Sequence, residues 1–183
     1  MTGFDPFPSC CFPFLLTSKE TSKETSKMIT VGEPFPQFKV KACNGLTNDD
    51  LTEFTNDSFD GKWKVFFFYP KDFTAGCTRE AQGFRDVYSD IRDLGASVIG
   101  MSTDDRDSHR RFREACALPF QLAADTDGTV REAYGVRRRF LGPGTKRVTY
   151  LIDCEAVVRG VYDHEIAIGR HVTDVLKGLR GLH

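Results

Sequence analysis

The stretch PKDFTAGCTRE (70–80) places Pro70, Thr74 and Cys77 where an apolar run, VFFFY, gives way to a helical pattern. A cysteine in that place is either a packed thiol or a nucleophile. On the first turn of a helix, unpaired backbone N–H groups and the macrodipole favour an anion, and the thiolate is the reactive form of sulfur. Thr74, three residues earlier, can set a hydroxyl beside the sulfur as donor and acceptor. Pro70 fixes the chain leaving the strand and presents an apolar ring with no N–H. Glu80 suits a capping-box role, its carboxylate reaching back to the Cys77 or a neighbouring N–H. Arg147, far along the chain, opens the run RVTYLID. If that run lies beside VFFFYP, its guanidinium reaches the sulfur, holding a thiolate and polarising an oxygen-rich substrate.

The elements that must position these groups follow from periodicity. QFKVKAC (37–43) alternates as a strand, and KVFFFYP (64–70) is a continuous apolar run that suits a central strand buried on both faces. Ala81, Phe84, Val87, Tyr88, Ile91 and Leu94 recur at helical spacing over 77–94, and Gly95 supplies a stop. ASVIGMS (96–102) reads as a strand, RDSHRRFREACAL (106–118) as a charged amphipathic helix, PFQLAAD (119–125) as a short strand and DGTVREAYGV (127–136) as a brief helix. RVTYLID and VVRGVYD pair around the turn CEA, and IGRHVTDVLKGLRG (168–181) closes the chain as a helix. The order predicts an α/β three-layer sandwich around a mixed central sheet, the arrangement of a thioredoxin-like fold.

Composition excludes several classes. The net charge of −1 gives no reason to expect nucleic acid or an anionic membrane as partner, and no apolar run is long enough to span a bilayer. Six cysteines occur, at 10, 11, 43, 77, 116 and 154, with no CxxC and no Cys/His spacing suited to zinc. They read as thiols of a reducing compartment, with no metal or other cofactor expected, and the missing CxxC argues against a disulfide reductase. Residues 1–27, with three prolines and then TSKETSKETSK, fit neither a secretory signal nor a transit peptide. They read as a disordered extension, with Met28 opening a single domain over 28–183.

The spacing PxxxTxxC (Pro70, Thr74, Cys77), joined to the distant R-x-[TS]-[FY]-x-[IV]-D (Arg147 to Asp153), resembles the signature of the peroxiredoxins, thiol peroxidases of the alkyl hydroperoxide reductase C and thiol-specific antioxidant group. VGEPFPQFKVKA, GKWKVFFFYPKDFT, LPFQLAADTDGTVREAYGV and IGRHVTDVLKGL fall where that family has comparable segments. The resemblance implies that Cys77 attacks the terminal oxygen of a hydroperoxide, water or an alcohol leaves, and a sulfenic acid remains. Thr74, the Cys77 N–H and Arg147 would bind the two oxygens. CTREAQGF is similar to the bacterioferritin-comigratory (Q-type) subgroup, and IGRHVTDVLKGL to the two-cysteine subgroup. Both of their usual resolving positions are empty: Gln82 stands five residues after Cys77, and the sequence to His183 carries no tail cysteine. Cys116 remains a candidate, while Cys43 and Cys154 read as inert. The resemblance therefore implies one-cysteine chemistry, a thioredoxin, glutaredoxin or low-molecular-weight thiol as reductant, a homodimer or larger homo-oligomer, and a cytoplasmic setting. A redox-responsive chaperone or signalling scaffold using the same cysteine is the alternative. The basic stretch VRRRFLGPGTKR (136–147) is either a solvated loop or an electropositive approach for anionic peroxides.

Overall fold

Val65 to Phe68 are all essentially solvent-free, because the strand they form has a packed layer on each face. The structure, a computed structural model, describes residues 27–43, 53–55, 62–138, 144–164 and 168–182. The extension expected over 1–27 lies outside them, apart from Lys27. In chain order the elements are β1 (Lys39–Cys43), β2 (Glu53–Thr55), β3 (Trp63–Phe68), α1 (Ala75–Asp86), α2 (Tyr88–Asp93), β4 (Ala96–Ser102) and α3 (Arg106–Cys116). They continue with β5 (Gln121–Ala124), α4 (Thr129–Ala133), β6 (Arg137–Arg138), β7 (Gly144–Thr145), β8 (Val148–Ile152), β9 (Val158–Asp163) and α5 (Ile168–Leu182).

The main sheet has seven strands in the order β2-β1-β5-β4-β3-β8-β9, and β6 and β7 form a separate small hairpin. β3 runs parallel to β4, with Phe66 opposite Ile99, and antiparallel to β8, with Phe66 opposite Tyr150. The sheet is therefore mixed, and the strand that follows Arg147 lies beside the VFFFY strand as the sequence predicts. Alternation along β3 divides the core. Val65, Phe67 and Tyr69 pack with Cys77, Phe84, Phe112 and Leu179 of the helices α1, α3 and α5. Phe66 and Phe68 pack on the opposite face with Phe35, Tyr134 and Tyr150. Helices α1, α2, α3 and α5 cover the first face, and α4 with the segment 28–38 covers the second, which makes the three layers.

Several boundaries differ from the sequence reading, and α3, β5 and α4 are each shorter than expected. The single helix over 77–94 is two helices broken at Val87, whose φ of −107° and ψ of 12° leave the helical region. Phe84 and Ile91 on either side of the break are both fully buried, so one apolar period runs across two helices and periodicity cannot see the break. The first strand starts at Lys39, two residues later than expected. α1 starts at Ala75, so Cys77 is its third residue and still lies on the first turn. Of the basic stretch, 139–143 fall outside the described residues, and Arg137 is paired with Glu132.

Candidate active site

Thr74 caps α1 by its backbone only. Its φ and ψ of −79° and 143° are extended, and its carbonyl accepts the Thr78 N–H at 2.8 Å, but its side chain makes no capping bond. Its hydroxyl donates instead to the Lys71 carbonyl at 3.0 Å, which leaves the oxygen lone pairs as acceptors. Pro70, half-buried, stands between Tyr69 and the turn that leads to Thr74. Cys77 is 1% exposed, a free thiol on the first turn of α1.

Arg147 reaches it. The residue immediately precedes β8, is itself buried, and its Nη2 lies 3.5 Å from Cys77 Sγ. Nη1 of the same guanidinium donates to Glu80 Oε2. One planar fork thus bridges a sulfur and a carboxylate that sit three residues apart on one helix face, a geometry that lysine cannot reproduce. Gly76 makes room for it, since a Cβ there would lie 3.1 Å from Arg147 Nη2 and 3.0 Å from Ile168 Cδ1. Burial works against the charge of Arg147, but Glu80 and Cys77 outweigh it, and the guanidinium holds its proton more tightly than an ordinary arginine.

Glu80 corrects the sequence reading. It is fully buried, and its carboxylate points to Arg147 rather than back to the helix N-terminus. The capping box fails because Arg147 offers a charged partner inside the core, and a buried carboxylate without one is costly. Burial pushes the Glu80 carboxyl up to about 7, with Arg147 pulling the other way. His171 of α5, also fully buried, brings Nε2 to 3.3 Å from Glu80 Oε1. The sequence reading gave His171 no role. Its signal was the four-residue spacing from Val175 to Leu179, which places position 171 on the buried face of α5.

A second network holds the loop between Pro70 and Thr74. Asp72 is buried and accepts from Tyr69 Oη and Ser108 Oγ, each at 2.8 Å, and lies 2.8 Å from His109 Nδ1. Its own N–H donates to Asp104 Oδ2 at 2.8 Å. His109 Nε2 reaches the Ala123 carbonyl at 3.2 Å, so the loop is tied to α3 and β5 together. Phe73 takes a left-handed φ of 59° and leaves its ring 54% exposed at the rim. A bulky residue in that region is strained and persists only where its surroundings dictate the turn. Asp153, the last residue of the arginine motif, is structural: it accepts the Glu155 and Val157 N–H groups at 2.9 Å and anchors the β8–β9 turn.

The other cysteines stand apart in character. Cys116 is buried at the end of α3, its carbonyl taken by Arg85 Nη1 at 2.9 Å, and burial pushes its thiol up. Cys154 lies half-buried in the β8–β9 turn. Among the described residues no group of three His, Cys, Asp or Glu side chains gathers as a metal site, and no helix is long and apolar enough to cross a membrane.

The AhpC/TSA family profile matches residues 31–161. A Coxiella burnetii protein named as a peroxiredoxin of the bcp type is 40% identical over 155 residues, which cover 81% of this chain and 97% of that one. A chloroplastic peroxiredoxin Q of Suaeda salsa is 39% identical over 84% of this chain and 69% of its own length. Among solved structures, the peroxidoxin BcpB of Mycobacterium tuberculosis superposes with a TM-score of 0.76 at 30% identity, covering 86% of this chain and 99% of that one. A bacterioferritin comigratory protein of Xanthomonas campestris, studied for alkyl peroxide reduction, gives 0.71 at 27% identity over 79% and 91%. With the thioredoxin-like sandwich in place and a buried arginine against a helix-borne cysteine, this chain belongs to the AhpC/TSA family and is a thiol peroxidase of the peroxiredoxin class.

Proposed function

We propose that Cys77 is the peroxidatic sulfur, that Thr74 and Arg147 bind and polarise the hydroperoxide, and that Pro70 shields the site from solvent. The observation that carries this reading is the 3.5 Å approach of Arg147 Nη2 to Cys77 Sγ on the first turn of α1. The thiolate attacks the terminal oxygen of ROOH, the O–O bond breaks, and the sulfur becomes a sulfenic acid. The RO⁻ that leaves takes up a proton and departs as an alcohol, or as water from hydrogen peroxide. Arg147 stabilises charge developing on the departing oxygen, and the Thr74 oxygen accepts a hydrogen bond from the peroxide O–H. No side chain of Thr74 consumes the N–H groups of the first turn, so the Cys77 N–H is open to the same oxygens.

We place the chain among one-cysteine enzymes. Position 82 is glutamine, and the Cys116 thiol is buried and pushed toward its unreactive protonated form. An external thiol (thioredoxin, glutaredoxin or a small thiol) then reduces the sulfenic acid. A homodimer or larger assembly has apolar material at the rim in Phe73, and a cytoplasmic setting suits the free Cys77 and Cys116 thiols. The relatives' names speak for the enzyme and not for the scaffold. The test is peroxide consumption with each reductant in the wild type, Cys77→Ser and Cys116→Ser. Activity lost only in Cys77→Ser supports the reading; activity surviving in Cys77→Ser, or lost equally in Cys116→Ser, refutes it.

A further inference from the structure

His171 of α5 meets Glu80, the carboxylate that Arg147 binds. Its ring is fully buried, and Nε2 meets two oxygens: Thr149 Oγ1, in a short hydrogen bond, and Glu80 Oε1 at 3.3 Å. The second approach lacks hydrogen-bond alignment, so Glu80 Oε1 feels it as an electrostatic contact only. His171 Nδ1 is buried with no hydrogen-bond partner among the described residues. These contacts favour one tautomer. A proton on Nδ1 would be a buried, unbonded donor, and it would leave the Nε2 lone pair facing the lone pairs of Glu80 Oε1. A proton on Nε2 avoids both costs.

We propose that His171 is a positioning residue for the peroxidase reaction: its ring, fixed by the Nε2 hydrogen bond to Thr149, sets a partly positive edge against the outer oxygen of Glu80, and Glu80 in turn aims Arg147 at Cys77. The inference rests on the reading of Cys77 as the reacting sulfur. The chain runs from α5 through α1 to the residue that begins β8, so three elements far apart in sequence fix one guanidinium. Gly83 permits the close packing of α1 on α5 that the contact needs, since a Cβ there would meet Val172 Cγ2 at 3.0 Å. A neutral ring suits the role. Burial pulls His171 down to about 4, His164 and Arg147 pull the same way, and Asp174 opposes them. The charged and titratable groups around the pair are Arg147 before β8, Cys77 on α1, His164 after β9 and Asp174 on α5. Asp174 is itself engaged by His164 at 3.4 Å.

The test uses the full chain and hydrogen peroxide, reading the single-turnover rate of Cys77 oxidation across pH together with thermal melting. His171→Leu slows oxidation by about tenfold, the order expected on losing one polar contact to a charged group. His171→Gln, whose amide N–H reaches the same oxygens, recovers most of the rate. The limb of the rate profile that disappears in Glu80→Gln moves to higher pH in His171→Leu, because the carboxylate has lost the favourable field of the Nε2 edge. An unchanged rate and profile in His171→Leu would overturn the proposal. So would equal losses in the leucine and glutamine variants that track melting temperature. Should the leucine variant not fold, ¹⁵N NMR of histidine in the wild type decides: a proton on Nε2 and none on Nδ1 supports the proposal, and the reverse sinks it. A wild type in which peroxide leaves Cys77 untouched refutes the peroxidase reading instead, before any variant is compared.

Discussion

Replacing Arg147 by methionine separates what the guanidinium does for stability from what it does for chemistry. Methionine keeps much of the volume and removes both contacts of the fork, to Cys77 Sγ at 3.5 Å and to Glu80 Oε2. Losing a hydrogen bond to a charged group costs about 1.5–3 kcal/mol, so the reaction of Cys77 with peroxide should slow by about ten- to a hundredfold. Separately, the Glu80 carboxylate is left buried with no cation. Breaking a buried pair by removing one partner costs about 3–5 kcal/mol, an upper value here because Glu80, already pushed up to about 7, can take up a proton. For a domain of this size that lowers the melting temperature by ~10 °C. Adding Glu80→Gln to Arg147→Met removes the stranded charge, so melting recovers while the rate stays low. Arg147→Lys keeps a charge but not the fork, and falls between. Stopped-flow single-turnover oxidation and thermal unfolding read the two effects independently. A wild-type oxidation rate in Arg147→Met, or a rate that recovers together with stability in the double variant, would refute the division of labour.

Three further outcomes follow from neighbouring groups. Glu80 holds its proton more tightly folded than unfolded, so its contribution to stability is fullest below its ordinary 4.5 and is lost as pH rises to about 7. His171, pulled down to about 4 from its ordinary 6.5, contributes in the opposite sense over an overlapping range, so the wild-type curve alone hides both. Urea unfolding of the wild type against Glu80→Gln at pH 5 and pH 7.5 should show the variant gaining on the wild type at the higher pH. Gly76→Ala crowds Arg147 Nη2 at 3.1 Å and should slow peroxide oxidation by about tenfold or less with little change in melting; a wild-type rate would show that the guanidinium can move freely. His109→Leu takes a hydrogen-bond partner at 2.8 Å from the buried Asp72 and should destabilise the fold by about 1–3 kcal/mol in urea titration, an effect that Asp72→Asn in the same background should partly reverse.

The approach of Arg147 to Cys77 was legible before any coordinates because one sits on a helix that follows the central strand and the other opens the strand beside it. The sandwich was legible for a similar reason: β3 reads as buried on both faces, and the CEA turn forces β8 and β9 to run antiparallel. Glu80 was misread because, three residues past Cys77, it satisfies the spacing of a capping box as well as that of a buried partner for Arg147. Only the position of β8 chooses between them. His171 and Glu80 are 91 residues apart in the sequence, and a lone histidine on an amphipathic helix carries no mark of what it faces. The tie from Asp72 to His109 and Ser108 was invisible for the same reason, since its members belong to a loop and a helix that meet only in three dimensions. The break at Val87 escaped because both helices bury the same stripe.

The account stands most directly on where oxygen first arrives. Mass spectrometry of the reduced chain after one equivalent of hydrogen peroxide, with a sulfenic-acid trap present, should find the added oxygen on the peptide carrying Cys77, and at least several-fold less there in Arg147→Met over the same short interval. Oxygen appearing first on another cysteine, or on Cys77 at the same pace with and without the guanidinium, would contradict it.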